Sequence, residues 1–68
     1  MKYSITDIVT IKRYRVSYLD FFALVIYQID NGIASILFFD NNEKLIISER
    51  IEVDSEQLIL SYIARRID

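Results

Sequence analysis

The sequence contains no cysteine and no histidine. Disulfides and structural zinc, the usual staples of so short a chain, are thereby excluded, and stability has to come from packing or from association. The same two absences remove nucleophilic triads, zinc-activated water and most proton shuttles. Any acid-base or metal-assisted chemistry would rest on carboxylates alone, and no cofactor is expected. Glycine occurs once, at Gly32, so there is no glycine-rich loop to cradle a phosphate. Long apolar runs are missing as well. The longest, Phe21 to Tyr27, covers seven residues, whereas a helix needs about 20 to cross a bilayer. Near the N-terminus Lys2 is followed by mixed polar residues instead of an apolar secretory core, so a cytoplasmic location without membrane contact is expected.

Proline is absent and alanine occurs three times, against thirteen isoleucines. Codons for Ile, Lys, Asn and Tyr are AT-rich and those for Ala, Gly and Pro are not. The composition therefore points to an AT-rich genome, as in many phages, archaeal viruses and low-GC bacteria. In place of small residues the chain carries bulk: Ile, Leu, Val and Phe make up 27 of its 68 residues. That length holds one core, so residues 1–68 read as a single domain.

The net charge of −2 argues against a constitutive nucleic-acid binder, but the charge is uneven. Residues 1–19 carry +3 and the remainder −5. Within the basic end, Lys12, Arg13, Tyr14, Arg15 and Tyr18 interleave cations with tyrosines, a mixture that grips phosphates and stacks on bases in single-strand binders. Strand geometry divides the set, placing Lys12, Tyr14 and Tyr18 on one face and Arg13 and Arg15 on the other. The plainer reading is an edge strand whose charges discourage edge-to-edge pairing.

Local signals define most of the elements. Asp30-Asn31-Gly32 lies between two β-branched and aromatic runs, 23–29 and 33–39, and an Asn-Gly pair suits a type I′ hairpin turn. A second turn is expected at Asp40-Asn41-Asn42-Glu43, followed by the alternating segment 45–53. That alternation places Leu45, Ile47, Ile51 and Val53 on the inner face, with Glu49 as the polar intruder and Arg13 or Arg15 as its expected partner. Asp54 and Gln57 have capping-box spacing, Val53 and Leu58 occupy the staple positions, and Arg65 and Arg66 suit the last turn of a helix over about 55–67. The first twenty residues admit two patterns. Ile5, Ile8, Val9, Val16 and Leu19 approximate a helical stripe, with Ser4 and Asp7 in capping spacing; the β-branched content instead favours a strand from about Ile8 to Ser17, turning near Leu19-Asp20. The strand reading gives a four-stranded antiparallel β-meander followed by a C-terminal helix packed on one face, an α+β fold of order β-β-β-β-α.

One helix covers only one face of such a sheet, yet the segments 21–27 and 36–39 are apolar on both faces. The helix itself carries an apolar arc, from Leu58, Ile59 and Leu60 through Tyr62, Ile63, Ala64 and Ile67, that is wider than one sheet needs. Surplus apolar surface marks an interaction site, and a closed twofold homodimer is the commonest solution. Phe21, Phe38, Phe39, Tyr62 and Arg66 are the candidate interface residues. Arg66 falls inside the apolar arc, where it would either snorkel to water or pair across an interface. Asp20, Asp30, Asp40 and Asp54 all sit at expected turns or caps, which explains them without catalysis. The sequence thus reads as a non-enzymatic, homodimeric protein-interaction module, a small viral or bacterial regulator or inhibitor. The alternative is a small nucleic-acid-binding protein that uses the basic N-terminal strand.

Overall fold

The computed structural model describes residues 10–67. Four strands, β1 (Ile11–Ser17), β2 (Phe21–Gln28), β3 (Ile33–Asp40) and β4 (Leu45–Glu52), form one antiparallel sheet in sequence order, and α1 (Glu56–Ile67) follows. This is the expected meander with a C-terminal helix. The proposed strand start at Ile8, the Ser4 and Asp7 pairing and the Ile67 side chain lie outside what the structure describes.

Register follows from the turns. Tyr18, Leu19 and Asp20 connect β1 to β2, Ser17 pairs with Phe22, and the Tyr18 amide donates to the Phe21 carbonyl at 2.8 Å. The β2–β3 hairpin departs from the expected type I′ turn. Gln28 pairs with Ile33, leaving four residues in the loop, and the Gly32 amide donates to the Gln28 carbonyl at 3.0 Å. Only Gly32 there has positive φ, at 66°, so Asn31 never enters the left-handed region that a type I′ turn demands of it. Gly32 has a second reason to lack a side chain. Its carbonyl accepts the Val53 amide at 2.7 Å, and a Cβ would stand 2.8 Å from the Val53 carbonyl oxygen. The last loop is built by Asp40, whose carboxylate accepts the amides of Asn42 and Lys44 at 2.8 and 3.0 Å. Glu43 there holds a left-handed conformation, φ 63°, which glycine adopts at lower cost.

Strand β4 contains the one register shift. Phe38 pairs with Ile47 but Phe39 pairs with Leu45, so Ile46 is an extra residue. A bulge of this kind breaks the period-two alternation. Leu45 accordingly sits opposite Phe39, away from the helix side that simple alternation assigned to it.

The core lies between the sheet and α1. Ala23, Val25 and Tyr27 from β2, Ala34, Ile36 and Phe38 from β3, Val53, and Ile59 and Ile63 from the helix form one buried cluster, with Tyr14, Val16, Phe21, Ile51 and Tyr62 packed at its margin. The β-branched core residues suit strands, and Ala23 and Ala34 leave room for the helix to approach. The helix begins one residue later than the capping pattern suggested. The Leu58 amide donates to the Ser55 carbonyl at 3.2 Å, so Ser55 holds the boundary position expected of Asp54.

Candidate interaction surfaces

Pairing and pleat assign every side chain to one of the two faces. Two ion pairs lie on the helix side. Lys12 on β1 meets Glu56 at the start of α1 at 2.5 Å, and Arg66 in the last turn donates its Nε to Glu49 of β4 at 2.6 Å. Glu56 and Glu49 thus tie the two ends of the helix to opposite edges of the sheet. The hydrogen bond and charge of Glu56 push the Lys12 pKa above its ordinary value. The partner of Glu49 is therefore Arg66, not Arg13 or Arg15, because those two arginines point to the other face. Arg66 finds its partner within its own chain.

Tyr14 is the polar residue least well provided for. Its hydroxyl is buried with no hydrogen-bond partner among the described residues, and burial, followed by the nearby Glu56 charge, raises its pKa.

A helix of 12 residues is about 18 Å long, whereas strands of eight residues reach about 26 Å, so α1 leaves part of its own side uncovered. The gap is an open groove lined by Phe21, Phe38, Ile46, Ile47 and Arg66. Three of the five candidate interface residues, Phe21, Phe38 and Arg66, meet there. Phe38 contributes to its floor as a core residue, 5% exposed, whereas Ile46 and Ile47 are exposed beside it. Ile47 keeps the inner face that alternation gave it but is left exposed, and Ile46 was missed because the bulge was not foreseen. Tyr62 packs against the core from the helix, and Phe39 lies on the opposite face.

Among the described residues no helix lies on that opposite face. Its cross-strand rows run Ile11, Gln28, Ile33, Glu52; then Arg13, Ile26, Ser35, Arg50; then Arg15, Leu24, Leu37, Ser48; then Ser17, Phe22, Phe39, Leu45. The interior strands supply an apolar floor, and the edge strands supply arginine. Phe22 and Phe39 stack at 5.1 Å, and the Arg15 guanidinium lies 3.9 Å above the Phe22 ring, so Phe22 is buried by its own neighbours. Leu24 remains 37% exposed. Arg13, Arg15 and Arg50 form no ion pair with a carboxylate among the described residues.

The basic-aromatic set of β1 is divided between these faces. Lys12 is held by Glu56, Tyr14 is half-buried at the core and Tyr18 stacks on Phe21 at 4.8 Å, leaving Arg13 and Arg15 on the open face. No group of three or more metal-ligating side chains occurs among the described residues, and no helix there is long and apolar enough to cross a membrane. Compared with known protein families, curated proteins and solved structures, the chain gave no match.

Proposed function

We propose that this protein works without catalysis, as a self-associating interaction module that regulates or inhibits a partner by occupying its surface. The observation that carries the reading is the apolar surface left uncovered on both sides of a sheet with a single helix. A second copy is the occupant proposed for the helix-side groove. Arg66 is already neutralised there by Glu49, so two grooves meet without opposing like charges, and a closed twofold pair buries Ile46 and Ile47 together. The setting proposed is the cytoplasm, that of a host cell if the gene is viral.

Sedimentation at micromolar concentration is expected to give about twice the chain mass, with thermal stability rising with concentration, because association favours only the folded form. Ile47→Glu should yield a folded monomer. Phe38→Glu is unsuitable for this purpose, since Phe38 is in the core and the change would unfold the chain. A wild-type protein that is folded and monomeric at every concentration removes self-association from the proposal.

The unpaired arginines of the open face favour a second reading, nucleic-acid binding. Under it, affinity falls steeply with salt and Arg13→Ala with Arg15→Ala reduces that slope. A missing gel shift at low salt removes it.

A further inference from the structure

The open face of the sheet differs from the helix-side groove in both shape and charge. Four strands place the centres of β1 and β4 about 14 Å apart, with the apolar floor between them. Arg13 and Arg15 stand along one edge of this floor and Arg50 along the other. An α-helix is about 10 Å wide, so one helix laid along the strands fits between the two arginine rims. We propose that this trough docks an amphipathic helix of a partner protein, with its apolar stripe on Leu24, Ile26 and Leu37 and carboxylates along both flanks. The acidic helix completes a sheet covered on both sides, as layered domains commonly are.

Three observations favour this occupant. First, Lys12 and Arg66 are paired where the helix meets the sheet, whereas Arg13, Arg15 and Arg50 share the other face and form no ion pair among the described residues. Second, a second copy fits this face poorly. With a twofold axis along the strands, Arg13 opposes Arg50 of the partner copy, and with the axis across the strands it opposes Arg15 of the partner copy. Third, the face is ill-suited to stacking bases. Of its two rings, Phe22 is only 9% exposed beneath Arg15 and Phe39 is stacked on Phe22, and the floor at Leu24, Ile26 and Leu37 is aliphatic.

The experiment uses two synthetic 18-residue helical peptides, about 27 Å long to match the strands. Both carry the same leucine stripe, flanked by glutamates in one and by lysines in the other. Fluorescence anisotropy against the full chain is expected to show the glutamate peptide binding at least about tenfold tighter, with a preference that weakens as salt rises. Arg13→Glu with Arg50→Glu should invert the preference, and circular dichroism should confirm that this variant keeps its fold, both positions being exposed. Leu24→Asn should weaken both peptides. Equal binding of the two peptides, or no binding of either, overturns the proposal. So does capture of an oligothymidylate with loss of the glutamate peptide, which would assign the arginines to phosphate. Repeating the measurement in the Ile47→Glu background separates this surface from self-association, because the trough does not involve the groove.

Discussion

The helix side and the open side of this sheet are made from the same strands, residue by residue in alternation, and end in different states. On the helix side Ile36 is fully buried and Lys12 and Arg66 are ion-paired. On the open side its neighbour Leu37 is only half-buried, and the arginines stand unpaired. One side therefore carries the core that holds the fold together, and the other leaves apolar groups partly exposed. Adjacent residues of one strand thus serve different ends, which gives mutagenesis an internal control.

The largest expected contrast is between Ile36→Ala and Leu37→Ala. Removing Ile36 leaves a cavity under α1 and should cost about 2–5 kcal/mol, whereas Leu37 faces solvent and should cost about 1 kcal/mol or less. Chemical denaturation of both variants measures the difference, and equal losses would show that the open face is packed as tightly as the core. Gly32→Val comes next. A β-branched residue at positive φ, with its Cβ driven into the Val53 carbonyl, should cost about 2–4 kcal/mol. Its melting temperature should fall well below that of the parent, because the substitution strains the hairpin and the exit of β4 together.

Smaller effects sharpen the electrostatic half of the contrast. The Glu49 side chain is 17% exposed in its pair with Arg66, so a double-mutant cycle there should give a coupling of about 1 kcal/mol, between the values for exposed and buried pairs. The more exposed Lys12–Glu56 pair should give less. At high pH both shifted groups act in the same direction. Folding raises the Lys12 pKa, so the contribution of its pair is complete below the unfolded value near 10.5 and is lost as pH rises through the folded value. Folding also raises the Tyr14 pKa, so the folded state holds that proton longer, and stability falls once pH passes the ordinary tyrosine value near 10. An alkaline titration of stability should show this decline. Tyr14→Phe should flatten it, and at neutral pH should leave stability unchanged or slightly raised, because it deletes a hydroxyl without a partner.

Much of the fold was legible because local signals agreed. Alternation marked β4, aromatic and β-branched runs marked β2 and β3, and the change to helical period after Asp54 marked α1. What escaped was set by geometry at a distance. The four-residue loop that ends at Gly32 is held by Val53, which no pattern within Asp30-Asn31-Gly32 records. No local pattern marks the bulge at Ile46, so Leu45 and Ile47 received faces by simple alternation and Leu45 was misplaced. The Glu49 partner was missed because Arg66 lies seventeen residues along and joins it only through the angle of the helix. Of the candidate surface, the excess of apolar groups was visible in the composition, but its division into a neutral groove and a cationic trough required the pairing register.

The extra residue in β4 also bears on what the edge of the sheet can pair with. Leu45-Ile46-Ile47 lies on a free edge of the sheet, exposed and strongly β-forming, the kind of segment on which chains stack into fibrils. Fibril growth needs a straight edge whose amides and carbonyls match an incoming strand at every step. Ile46 interrupts that match where the edge is most apolar. An irregularity of one residue thus leaves the apolar surface in place while removing the uniform edge from which open-ended polymers grow.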